Sequence, residues 1–114
     1  LSTVFIPQQP ARYDKVADIW LPTVDVSPAA KFGEIKILFD MTSSRIPLTH
    51  LKVPLMKKLE EFQRDDYLVA LGDPSIIAMC SAYLGIKHNG YIRLLTWDRF
   101  ALTYILREFD LGNT

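Results

Sequence analysis

Residues 66–85 read Asp-Tyr-Leu-Val-Ala-Leu-Gly-Asp-Pro-Ser-Ile-Ile-Ala-Met-Cys-Ser-Ala-Tyr-Leu-Gly, and a run of this kind admits few folds. The apolar stretch Tyr67–Leu71 reads as a strand and stops at Gly72. Asp73 follows as a helix N-cap, Pro74 takes the first helical position, where its missing amide removes no bond, and Gly85 marks the expected helix end. A strand that is apolar on both faces and runs straight into a capped helix belongs inside a parallel sheet. The class is therefore α/β, a class that places ligand sites at such strand-to-helix loops.

From Gly33 onward the rest of the chain fits that unit. Glu34–Phe39 alternates, with Ile35, Ile37 and Phe39 on one face, and Asp40–Pro47 is a polar loop. A helix is predicted from Thr49 or Val53 to Phe62, with Leu51, Leu55, Leu59 and Phe62 on one stripe. Pro54 argues for the later start. Glu60, Glu61, Asp65 and Asp66 crowd its C-terminal end, where the macrodipole disfavours them, so a solvated, frayed end is expected. Asn89-Gly90 makes a turn, Tyr91–Trp97 a third strand, and Leu102–Phe109 an antiparallel fourth. The order is β-α-β-α-β-β, with three parallel strands and a C-terminal antiparallel one. Strand order 1-2-3-4 would put both helices on one face, and order 2-1-3-4 one on each.

Residues 1–32 differ. Pro7, Pro10, Pro22 and Pro28 interrupt every periodic run, so this stretch reads as an extended arm with at most one short strand, ahead of a domain over residues 33–114. Phe5, Tyr13 and Trp20 in the arm need a surface to cover, either on their own domain or on a neighbouring copy.

Thirteen basic residues balance 13 acidic ones, which counts against a dedicated binder of double-stranded nucleic acid. A lone cysteine, Cys80, cannot close an internal disulfide and favours a reducing compartment, here the cytoplasm. No apolar run approaches the roughly 20 residues of a bilayer span, and no charged-then-apolar leader opens the chain.

Three groups of residues are candidates for function. Asp40, Thr42, Ser43, Ser44, Arg45 and His50 lie in one loop after the first regular strand, and Asp73 lies at the equivalent point after the second. Hydroxyls, an arginine and a helix start suit a phosphate or carboxylate. The loop lacks the glycines of a phosphate-binding loop, and Asp73 already has a capping role. On the C-terminal hairpin, Tyr91, Arg93 and Trp97 alternate onto one face, with Arg99 in the turn and Arg107 on the return strand, a pattern that can stack a single-stranded nucleic acid. Phe5, Tyr13 and Trp20 form the third group, as interface residues of the arm. No metal-ligand spacing links His50, His88 and Cys80, and neither a cofactor nor a catalytic residue is expected.

Val26-Ser27-Pro28-Ala29, Phe32-Gly33-Glu34-Ile35, Gly72-Asp73-Pro74-Ser75-Ile76-Ile77 and Leu94-Leu95-Thr96-Trp97-Asp98-Arg99 together resemble small proteins encoded by tailed phages, marine ones included. The resemblance spans most of the chain. It implies a viral origin and a host-cytoplasmic setting, and brings no catalytic residue with it. The expected function is a non-enzymatic interaction module that self-associates or binds a host or viral protein, with no membrane partner. The alternatives are a single-stranded nucleic-acid binder and a small-ligand or nucleotide-binding enzyme.

Overall fold

In the computed structural model, which describes residues 1–112, a strand that the proline pattern concealed lies in the middle of the sheet. Val4, Phe5, Ile6 and Pro7 are all buried, because this strand pairs on both sides and is covered on both faces. This strand, β1 (Thr3–Gln8), is followed by a hairpin of β2 (Ala11–Asp14) and β3 (Ile19–Pro22), a 3-10 turn over Ser27–Phe32, and β4 (Glu34–Phe39). A second 3-10 turn (Met41–Arg45) leads to α1 (Leu48–Lys58), then β5 (Tyr67–Val69), α2 (Pro74–Lys87), β6 (Tyr91–Asp98) and β7 (Thr103–Asp110).

The main sheet has the order β4-β1-β5-β6-β7, parallel except for β7, which runs antiparallel to β6. β2 and β3 form a separate two-stranded antiparallel sheet. The fold is thus α/β as expected, and the four expected strands keep their 1-2-3-4 order. Residues 1–32, read as an arm with one short strand at most, hold three strands, and one of them, β1, inserts between the first two and makes the sheet five-stranded. A proline removes a ladder donor, which is why residues 1–32 read as an arm. Here the pairing of β1 with β5 ends at Phe5–Leu68, two residues before Pro7.

Both helices cover one face, where Leu51, Leu55, Leu59, Ile76, Cys80 and Leu84 meet Phe5, Leu38, Leu68 and Ile92. On the other face Ala29, Val26 and Phe32 from the first 3-10 turn and its approach cover Val4, Ile6, Tyr67, Val69, Leu95 and Tyr104. The later part of the supposed arm therefore closes the second face. The β1-to-β4 connection runs over this face and the β4-to-β5 connection over the other, as right-handed crossovers in opposite directions require.

Helix limits differ from the pattern in three places. α1 begins at Leu48 and includes Pro54, because burying Leu51 outweighs one missing amide bond. α2 continues past Gly85 to Lys87, and the reversal falls at Asn89 (φ 52°) and Gly90 (φ 83°). α1 ends at Lys58, before the expected Phe62, and this end is capped rather than frayed, since Lys87 Nζ donates to the Leu59 and Glu60 carbonyls. The acidic crowd there is dispersed as well. Glu61 pairs with Lys36, and the buried Asp66 carboxylate accepts the Thr3 and Gln63 amides, each at 2.8 Å.

Because β1 supplies apolar side chains to both faces, removing Leu1–Gln8 is expected to abolish the cooperative unfolding transition in urea. A truncated chain that still unfolds in one sharp transition would show β1 to be dispensable.

Candidate functional site

The strands β1 and β5 send their following connections in opposite directions, so the crevice beyond their carboxyl ends is the topological switch point, where open α/β sheets bind ligands. Gln8 ends β1 there, and Gly72-Asp73 follows β5. Gln8 is 1 % exposed, and its amide draws in both neighbouring loops. Its Nε2 donates to Ser43 Oγ at 2.9 Å, to Ser44 Oγ at 2.8 Å and, longer, to the Asp40 carbonyl at 3.2 Å. Its Oε1 accepts the Asp73 amide at 2.7 Å.

Gly72 permits this closeness. A Cβ at that position would lie 2.5 Å from the Gln8 Cβ and 2.9 Å from its carbonyl oxygen, and the backbone there has φ 117°, where other residues are strained. Asp40 and Asp73 complete the ring as caps. The Asp40 carboxylate accepts the amide and hydroxyl of Thr42, and Asp73 accepts the Ser75 amide at 2.8 Å. The Ser75 amide, helped by the Ser44 hydroxyl, holds the Asp73 carboxyl below its usual range. A carboxyl held in its charged form by fixed donors is a poor general acid or base.

The structure therefore brings Asp40, Thr42, Ser43, Ser44 and Asp73 to one place. Arg45 and His50 are exposed and neither is hydrogen-bonded to this cluster. The group that unites the cluster is Gln8, which sequence reasoning did not single out. Its signal was a polar residue closing the apolar run Val4-Phe5-Ile6, hidden between Pro7 and Pro10.

Beside the switch point, on the face covered by the 3-10 turn, lies a mostly apolar cavity of about 400 Å³ lined by Val24, Asp25, Pro28, Leu71, Trp97 and Tyr104. Asp25 accepts the Ser27 amide at 3.0 Å, which lowers its pKa. Burial, with a smaller effect of the Asp25 charge, raises that of Tyr104. Cys80 lies in the helix-side core with its thiol pushed up to about 12 by burial, the state of an inert packing residue.

The model of the phage Pam3 gp32-like protein family matches residues 2–111. The chain belongs to that family. The matched span includes β1, the Gln8 cluster and the whole five-stranded sheet, in keeping with the phage resemblance of its short motifs. No curated protein and no solved structure matches the chain.

On the C-terminal hairpin of this phage-family fold, the pairing register distributes the remaining candidates. Tyr91, Arg93 and Trp97 share a face with Asp110, Glu108 and Tyr104, their partners across the ladder, whereas Arg107 lies opposite Leu94 on the other face. Arg93 stacks on the Tyr67 ring at 4.1 Å and donates to the Asp65 carbonyl at 2.7 Å and to the Tyr67 hydroxyl. Tyr91 donates to Glu108 at 2.8 Å under the Arg64 guanidinium. Trp97 meets Tyr104 edge-on at 5.0 Å, and Arg99 lies in the turn over Phe100. Of the arm aromatics, Phe5 is in the core against Phe62, while Tyr13 and Trp20 are paired at 5.7 Å and half exposed. Among the described residues no helix is long and apolar enough to cross a membrane.

Gln8→Leu leaves the part-buried Asp73 amide without its acceptor and removes the donor to the Ser43 and Ser44 hydroxyls, and is expected to cost about 1–3 kcal/mol in urea unfolding. An unchanged midpoint would show that water replaces the glutamine without loss. Asp73 stabilises the fold fully above its ordinary value near 3.8, and that contribution is lost as the pH falls through the lowered folded value. Asp73→Asn keeps the cap and removes the titration. Its stability is expected to fall less steeply in acid than that of the wild type, as read from urea midpoints across the acid range.

Proposed function

We propose that this chain is a non-enzymatic protein-interaction module and that the β2–β3 hairpin is its recognition element. The observation that carries this reading is a preorganised hairpin with apolar side chains that the fold does not use. Tyr13 and Trp20 are opposite each other across its ladder and stay half exposed, and Val16 at the tip is 98 % exposed. The tip is held by the Asp14 carboxylate, which accepts the Val16 amide at 2.9 Å and the Ala17 amide at 3.3 Å, and by Asp18 in the left-handed region at φ 54°. Its base is closed by the Thr23 amide on the Pro10 carbonyl at 3.0 Å. An ordered loop has little entropy left to lose on binding, and aromatic side chains are the usual anchors of protein interfaces. Trp20 also borders a hollow of about 320 Å³ beside Ile37 and Phe39, which offers a partner side chain a seat.

The alternatives have less support. The hydroxyls, amides and carboxylates that would serve an enzyme are occupied by Gln8 and by capping. The sheet face around Tyr91 and Trp97 carries Glu108 and Asp110 beside one arginine already engaged with Tyr67, a poor surface for phosphates.

A photoreactive residue at Val16 is expected to crosslink to a protein in phage-infected cells. The crosslink should vanish in Tyr13→Ala/Trp20→Ala while the unfolding free energy in urea stays within about 0.5 kcal/mol of the wild type. No crosslinked product from position 16, or a product that survives loss of both aromatics, would sink the reading.

A further inference from the structure

We infer that β7 is a homodimer edge, where two copies of the chain join antiparallel into one continuous ten-stranded sheet. β7 is the outer strand at one side of the sheet, eight residues long, and it pairs with β6 through eight consecutive positions with no bulge. It contains no proline, and its charges, Arg107, Glu108 and Asp110, all lie in its second half. Soluble proteins blunt long flat edges with bulges, prolines, inward charges or a covering element. The opposite edge, β4, is shorter, six residues, and carries Glu34 and Lys36. On β7 only the two end residues are tied to elements other than β6, Thr103 to Lys31 and Asp110 to Arg64, and Tyr104–Phe109 keep an open outer edge. Leu106 and Phe109 are each about two-fifths exposed, on opposite faces.

The occupant follows from the hydrogen-bond phase and the charges. The Leu111 amide donates to the Gly90 carbonyl at 2.9 Å, so in the antiparallel ladder the odd-numbered residues of β7 turn their backbone groups toward β6. Tyr104, Leu106, Glu108 and Asp110 turn theirs outward. A second copy related by a two-fold axis normal to the sheet must place residues of the same face opposite each other. With Leu106 opposite its own copy, Thr103–Phe109 pair throughout. Tyr104 then faces Glu108 of the second copy, Ile105 faces Arg107, and Thr103 faces Phe109. Sliding one step along the strand sets Arg107 against Arg107, and a second step sets Glu108 against Glu108; like charges directly opposite are destabilising. Sliding the other way leaves Thr103–Arg107 alone paired. One register thus combines the longest pairing with no like charges, and it places an apolar side chain on the axis, as a self-complementary interface requires.

This inference is independent of the hairpin reading, which the variants below leave intact. Light scattering on an eluting peak is expected to give twice the chain mass for the wild type. Leu106→Lys is expected to give the single chain mass with an unchanged circular dichroism spectrum. Leu106→Pro removes only an outward amide, which an edge strand tolerates, and should do the same. Ile105→Cys/Arg107→Cys is expected to form interchain disulfides on mild oxidation, because these positions face each other in a non-hydrogen-bonded pair, where side chains are closest. A wild-type chain that elutes as a monomer at every concentration would overturn the inference. So would a dimer that survives both Leu106 variants, or interchain crosslinking by Arg107→Cys alone, which requires the rejected register.

Discussion

Everything in this fold depends on the burial of β1. Its side chains are the contribution of one short strand to two cores at once, with Phe5 among the helices and Val4 and Ile6 under the 3-10 turn. Both ends of the strand are fixed by buried polar side chains. The Asp66 carboxylate holds the Thr3 amide at the start, and Gln8 holds the loops after β4 and β5 at the end. β1 comes first in the chain yet lies inside the sheet, so β4 and β5 must both reach back to it. Such non-local pairing carries a loop-closure cost before its contacts form, and the apolar burial on both faces is what offsets it.

The same strand determines what the switch point can do. An α/β sheet of this topology opens a crevice between β1 and β5, and the loops around it carry the hydroxyls, amides and carboxylates from which ligand sites are made. Here a glutamine side chain occupies that position. Gln8 satisfies the Asp73 amide and the serine hydroxyls as a bound ligand would, and Gly72 lets the two backbones approach closely enough for it to do so. Of this cluster Gln8 and Ser43 are buried, while Asp40, Thr42 and Ser44 stay exposed around them. Exposed apolar side chains lie elsewhere, on the β2–β3 hairpin, along β7 and the turn before it, and at Val53 and Ile86 on the helices.

Much of the architecture was legible because its signals are local. Asp73 before Pro74 gave the start of α2, and Leu51 and Leu55 gave the buried side of α1, while Leu59 and Phe62 of the same stripe are buried just past its end. The alternation in Tyr91–Trp97 gave β6. β1 was not legible, because Pro7 and Pro10 are strand-breaking signals and their cost is judged against a ladder the sequence does not display. The candidate loop was legible as residue types, but its centre was not. Gln8 lies 35 and 65 positions from its Ser43 and Asp73 partners, and nothing local distinguishes it from the exposed glutamine that follows a strand in any surface turn. Arg107 likewise joined the wrong face in a reading by composition, since only the β6–β7 register assigns it.

The α/β class, both helices, the apolar stripe that begins at Leu51, the βα unit that begins at Tyr67 and the antiparallel return at the C-terminus are all carried by the sequence alone. These follow from periodicity, capping and turn chemistry acting over a few residues. Tertiary structure alone decided that the first strand lies inside the sheet, that a glutamine fills the switch point, and which arginines share a face. Each of those depends on pairing between segments far apart in the chain, where burial on two faces outweighs the local preference of a proline-rich stretch.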